Sequence, residues 1–285
     1  MKHMPFDRRG RTLDRKMWAI TAFLLSGILL QPSLLRAIEA DQLQTRAKLG
    51  DIKAQVQLGE KYFRGEGVPQ NYTEAYRWFA KAAERGNPEG QHRLGQMYAR
   101  GIGVLQDDAE AVRWYSLSAE QGYPEAQYDL GEMHMNGRGV LRNEAGAAKW
   151  FRKAAEQGNT EAQYKLGLMY ANRQGGLGND AEAAKWFRKA AEQGHADAQR
   201  DLGVLYYNGQ GVPRDYGEEM RWYRKAAEQD HADAQNKLVL MYHEGKGAPR
   251  NYTEALTWLK KAAAQKNAAA QNNLGRIYAS GSGVV

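Results

Sequence analysis

Cysteine is absent from all 285 residues, and proline (seven) and phenylalanine (six) are scarce. Without cysteine there is no disulfide framework, no thiolate zinc or iron–sulfur site, no cysteine nucleophile and no lipid-modified N-terminal cysteine. Signatures of catalysis are missing too. There is no G-x-S-x-G elbow, no S-x-x-K pair, no H-E-x-x-H and no G-x-x-x-x-G-K-[ST] loop. What is present is uneven: seven tryptophans and sixteen tyrosines stand against the six phenylalanines, which suggests something repeated.

The formal net charge of +7 raises nucleic acid or an acidic membrane as partners. The excess is local, however. Residues 1–37 carry a net of +5, and residues 38–285 hold 33 basic and 31 acidic groups. Arg8 to Lys16 form a basic flank, and Met17 to Leu30 is a 14-residue uncharged stretch. Pro32 follows, then small residues at Ala37 and Ala40. This order is that of a secretory signal peptide over residues 1–37, cleaved after Ala37 or Ala40. The apolar stretch falls short of the roughly 20 residues that span a bilayer, so an uncleaved anchor is the less favoured alternative. Either outcome sends residues 41–285 across a membrane, to a bacterial periplasm or beyond. A cysteine-free chain in an oxidising compartment must be stable without staples.

Self-similarity dominates the remainder. Leu recurs every 36 residues at 58, 94, 130, 166, 202, 238 and 274. Gly follows it except at Val239, and Gln stands at 55, 91, 127, 163, 199, 235 and 271 without exception. Six of the tryptophans, 78, 114, 150, 186, 222 and 258, are one position of this repeat. A period of this length signifies a solenoid.

Each unit reads as two helices. Ala54, Leu58, Lys61 and Tyr62 share one helical face, and Gly65 and Gly67 end that helix. Asn71, Asp107, Asn143, Asn179, Asp215 and Asn251 stand where a second helix needs its N-cap. Glutamates three residues on, such as Glu74 and Glu110, complete the pattern of a capping box. Six full units are expected over 50–265, with a degenerate capping helix at 38–49 and a half-unit cap at 266–285.

The run Ala54-Gln55-x-x-Leu58-Gly59-x-x-Tyr62-x-x-Gly65-x-Gly67-Val68, then Asn71-x-x-x-Ala75-x-x-Trp78-Phe79-x-x-Ala82-Ala83-x-x-Gly86, resembles the Sel-one-like repeat (SLR) family, a relative of tetratricopeptide repeats. The resemblance covers about residues 50–285. It implies an all-α, right-handed superhelical solenoid of 36-residue helix-turn-helix repeats whose first helices line a concave surface. It also implies a scaffold or adaptor for other proteins. Exported bacterial members act in envelope signalling, host interaction or toxin neutralisation, and a few cysteine-rich ones are associated with β-lactam binding or hydrolysis.

On each first helix a stripe spaced 3, 4, 3 lies away from the buried set, beginning with Lys53, Val56, Glu60 and Phe63. In later units its first column is acidic (Glu89, Glu125, Glu161, Asp197, Asp233), and its third turns apolar at Leu168, Val204 and Leu240. A protein or peptide with basic and apolar groups fits such a surface. The candidate contact residues are Phe63, His92, Tyr128, Met135, Tyr164, Leu168, Arg200, Val204, Tyr207, Leu240 and His243. The alternative is that part of the strip packs on neighbouring units. No catalytic residue, cofactor or metal site is assigned. His195 and His231 lack a third ligand at recognisable spacing and read as capping or exposed residues, and His134 as a core histidine. Lys and Arg of the repeats sit beside acids on second helices, the solvated outer face of a solenoid, so no nucleic-acid partner is expected. Nor is stable membrane insertion, once the signal is removed. The reading is therefore a non-enzymatic exported scaffold. Its alternatives are a periplasmic inhibitor or immunity protein that occludes a secreted effector, and a cell-wall or β-lactam hydrolase.

Mass spectrometry of the exported protein is expected to find a new N-terminus at Ile38 or Asp41. A mature chain that keeps Met17–Leu30 would contradict cleavage.

Overall fold

The computed structural model describes residues 32–280, so the apolar stretch Met17–Leu30 lies outside the described residues. Fourteen α-helices follow one another, and no strand occurs among the described residues. The chain divides into two compact units at Arg85/Gly86.

The first unit holds α1 (Pro32–Lys48), α2 (Ile52–Arg64) and α3 (Tyr72–Glu84). α1 begins at Pro32, where a missing N–H costs nothing, and runs on past Ala37 and Ala40. Its Leu43 and Ala47 are buried with Ala54, Leu58 and Trp78. The second unit continues with α4 (Pro88–Arg100), α5 (Asp108–Glu120), α6 (Pro124–Asn136), α7 (Glu144–Glu156) and α8 (Thr160–Ala171). It ends with α9 (Asp180–Glu192), α10 (Ala196–Asn208), α11 (Tyr216–Glu228), α12 (Ala232–Glu244), α13 (Tyr252–Ala264) and α14 (Ala268–Ser280). Within each unit every helix packs on the next, giving the all-helical solenoid of paired helices that the repeat implies.

Within a pair, the glycine after the periodic leucine is a seat for an aromatic ring. A Cβ on Gly131 would stand 2.6 Å from the ring of Phe151, and one on Gly167 the same distance from Phe187. Gly59 receives Phe79, Gly95 receives Tyr115 and Gly203 receives Tyr223 in the same way. The sixth repeat carries Val239 in place of the glycine, and the residue opposite it is Leu259 rather than a ring. Both sides of the contact changed together, which conserves the volume between the helices.

Between repeats, three contacts recur. The tryptophan of one second helix packs on the preceding one: Trp222 lies with Ala183 and Phe187, and Trp186 with Ala147 and Phe151. Lysines three residues on cover the indoles, as Lys153 does over Trp150 at 4.2 Å. Trp114 and Trp150 are only half-buried, whereas Trp222 is 2% exposed.

The invariant glutamine is a second link. Gln127 Nε2 donates to the carbonyl of Ala119 on the preceding helix (3.1 Å), and its Oε1 accepts from Gln157 Nε2 at the end of the following one (2.8 Å). Gln163 and Gln199 repeat this with Ala155 and Gln193, and with Ala191 and Gln229. One buried amide thus joins three helices. At the N-terminal end Arg85 stands where the other repeats have the second glutamine; it bonds the Gly50 carbonyl instead, and Gln55 Oε1 is left unpartnered.

The third link is the loop. Gly139 adopts φ +65° and presses on the Asp108 carbonyl, 2.1 Å from where its Cβ would be; Gly211 and Gly247 do the same to Asp180 and Tyr216. The Gly-x-Gly pair therefore ends a helix with its first member and joins repeats with its second.

All six expected Asn and Asp caps accept backbone N–H bonds at the second helices. The capping box is only half made. At Asn71, Asp107, Asn143, Asp215 and Asn251 the cap's own N–H is already taken by the first helix, that of Asn71 by the Tyr62 carbonyl (2.9 Å). Glu74, Glu110, Glu182 and Glu218 pair forward instead with Arg77, Arg113, Lys185 and Arg221. Asp230 and Lys266 keep the left-handed conformation of the glycines they replace, at φ 63° and 64°. Arg173 does so too at φ 57°, and a 3₁₀ turn at Gln174–Gly176 takes over the fourth loop.

Gly131→Val is expected to destabilise the protein by about 1–3 kcal/mol, and Phe151→Leu added to it to restore part of the loss. Additive effects in a double-mutant cycle of urea midpoints would show that the two side chains do not share one space.

Candidate protein-binding face

Each of the two units carries part of the face. In the first, Phe63 is half-buried and meets Tyr72 edge-on, ring centroids 5.3 Å apart, while Val56 of the expected stripe is buried.

In the second unit the expected contact residues separate into two groups. His92, Tyr128 and Tyr164 belong to the packing. Their rings rest on the aromatic residue of their own second helix, at centroid distances of 5.7 Å to Tyr115, 5.7 Å to Phe151 and 5.8 Å to Phe187. Two of them also reach the next repeat. His92, only 3% exposed, meets Asp129 Oδ2 through Nε2 at 2.8 Å, and the Tyr164 hydroxyl donates to Asp201 Oδ2 at 3.1 Å. His92 is therefore not available to a partner. Its ring is needed to hold a carboxylate one repeat away.

Arg200 lies half-buried against Asp201, 2.5 Å from Nη1 to Oδ1. Burial pushes the Asp201 carboxyl above the ordinary carboxylate range, against the opposing pull of Arg200 and Tyr164. Burial likewise raises the Tyr128 and Tyr164 hydroxyls. Lys165 and Glu132 form a further bridge at 3.2 Å. The column Asp129, Lys165, Asp201, one residue beyond the expected stripe, thus ties successive first helices together.

The second group is free. Leu240 is 51% and Tyr207 45% exposed, and His243 is exposed beside Tyr252, with ring centroids 5.6 Å apart. Tyr207 meets Tyr216 at 6.3 Å, and Lys246 lies over the Tyr216 ring. Met135, Leu168 and Val204 are half-buried, each with one side against a core cluster. Beside them Glu125, Glu161, Asp197 and Asp233 are exposed in the first turns of their helices, where negative charge is favourable. His195 and His231 cap α10 and α12 through Nδ1 and reach Glu161 and Asp197 through Nε2, at 3.4 and 3.1 Å. His134 is half-buried, and burial lowers its pKa.

No group of three or more His, Asp or Glu side chains among the described residues is arranged to hold a metal. No helix among them is long and apolar enough to cross a membrane.

The model of the Sel1 repeat family matches residues 52–87, 88–123, 124–159, 160–195, 196–231, 232–267 and 268–285. The chain belongs to the Sel1 repeat family. Its fold is similar to that of a protective antigen present in uropathogenic Escherichia coli strains, which displays an SLR fold: 39% identity over 85% of this chain, TM-score 0.82. The chain spans only 52% of that antigen. A Sel1 repeat protein from Oxalobacter formigenes is 33% identical over 92% of this chain and 75% of its own, TM-score 0.75. The secretory immunoglobulin A-binding protein EsiB of Escherichia coli is 35% identical over 66 residues, 22% of this chain and 14% of EsiB. Sel1 repeats are in general protein-interaction scaffolds, and the frame seen here is of that kind.

Tyr164→Phe is expected to lower stability by about 1 kcal/mol, because Asp201 loses a buried donor. Leu240→Ser should leave the urea midpoint unchanged. Equal effects of the two would contradict the division between packing and free residues.

Proposed function

We propose that this protein is an exported, non-enzymatic scaffold that holds a protein or peptide partner on the first-helix face of its later repeats. The carrying observation is the exposure of Leu240 and Tyr207, residues that the repeat frame does not use. Large apolar side chains left in water next to a polar rim are typical of protein contact sites. The row Glu125, Glu161, Asp197 and Asp233 gives that rim one sign, so the partner that fits carries basic groups flanking an apolar segment. Val204, Leu168 and Met135 extend the apolar strip, with Phe63 as its counterpart in the first unit. Export rests on the basic flank and apolar stretch of residues 1–37. The likeness of 66 residues to EsiB, a secretory immunoglobulin A-binding protein, supports a protein as the partner.

The test begins with a partner recovered by affinity capture from an envelope extract. Leu240→Glu combined with Tyr207→Ala is expected to weaken its binding at least tenfold, about 1.4 kcal/mol, with unchanged thermal unfolding. Lys153→Glu on the second-helix surface should leave binding intact. Loss with Lys153→Glu and retention with the double variant would overturn the proposal.

A further inference from the structure

The fifth repeat departs from the pattern at one core position. Ala75, Ala111, Ala147, Ala183 and Ala255 occupy the same place in their second helices, and all are buried. In α11 the residue there is Glu219, 4% exposed, with Oε2 buried and without a hydrogen-bond partner. Its neighbours along the helix and across to α12 form an apolar cluster of Met220, Tyr223, Leu238 and Met241. A carboxylate there loses its hydration and gains no bond in return.

The charged groups around it give little compensation. From α12 Lys237 favours the ionised form and Glu244 opposes it, and from the loop beyond α12 Lys246 favours it. Lys246 is itself paired with Glu244 at 2.7 Å, so its charge is shared with a carboxylate that acts in the opposite sense. On α11 itself Tyr223 feels Glu219, and the groups from α10 that act on Tyr223 are Arg200, Asp201 and Tyr207. Glu218 is taken by Arg221 and by the Trp222 indole.

We propose that Glu219 is a proton-operated latch on the junction between the fifth and sixth repeats. Neutral, its carboxyl lies within the packing of α11 on α12. Ionised, it draws water in, separates the two helices and loosens the loop whose Gly247 rests on the Tyr216 carbonyl. Burial is the dominant cause, and it pushes the Glu219 carboxyl up to about 7, from an ordinary 4.5. The native state therefore binds the proton more tightly than the unfolded chain does. Junction stability is fully present below the ordinary value and falls as pH rises towards neutrality and past it. The inference does not depend on the binding role of the first-helix face.

Hydrogen–deuterium exchange, corrected for intrinsic rates, measures the junction directly. Between pH 5.5 and pH 8 the intact protein is expected to lose at least tenfold protection in α12 and α13 relative to α6–α9. Glu219→Ala, which installs the residue of the other repeats, and the neutral Glu219→Gln should both abolish that loss. Uniform pH dependence along the chain, or the same loss in Glu219→Ala, would overturn the latch.

Discussion

The glycine seat sets the distance between the two helices of a repeat, and the other contacts depend on that distance. With no Cβ at Gly131, the Phe151 ring lies against the backbone of the neighbouring helix. At this approach the amides of Gln127 and Gln157 meet while Gln127 still reaches back to Ala119. The loop then leaves at the angle that brings Gly139 onto the Asp108 carbonyl. A buried glutamine that lost either partner would cost roughly 1–3 kcal/mol. The frame is therefore cooperative across repeats, as expected of an array whose single units cannot bury a core alone.

A frame specified by backbone approach and by side chains at fixed positions leaves the rest of each repeat to vary. On the first helices that freedom is only partial. Toward the middle of the second unit, aromatic and charged residues are drawn into links between repeats, through Asp129 and Asp201. Adjoining columns carry Tyr207, Leu240 and His243 in the later repeats, which no link between repeats uses. Binding capacity is thus concentrated on the columns that the inter-repeat links leave free, and the acidic first turns provide its charge. Stability and recognition use neighbouring columns of the same helix faces.

Much of the fold was legible because it recurs. A leucine, a glycine and a tryptophan that return every 36 residues identify the helices, the close approach and the layer between repeats. The invariant glutamine was equally visible, but its role was not, since a bond to the carbonyl of a residue eight positions earlier has no local signature. The capping box failed as a sequence rule because a tertiary bond from the first helix had already satisfied the cap's N–H. The site was legible only as a stripe. Which members are free depends on partners some 37 residues away, as with His92 and Asp129, and these vary from repeat to repeat. The signal that could have found them is the column Asp129, Lys165, Asp201, whose charges complement the residues one repeat earlier.

Hydroxyl-radical footprinting of the protein with its captured partner tests the division between frame and face most directly. Protection is expected at Val204, Tyr207 and Leu240, with Trp222 and Tyr223 equally unreactive in both states. Protection confined to the second-helix surface around Lys153, Lys189 and Lys225, with Leu240 as reactive as in the free protein, would contradict the account.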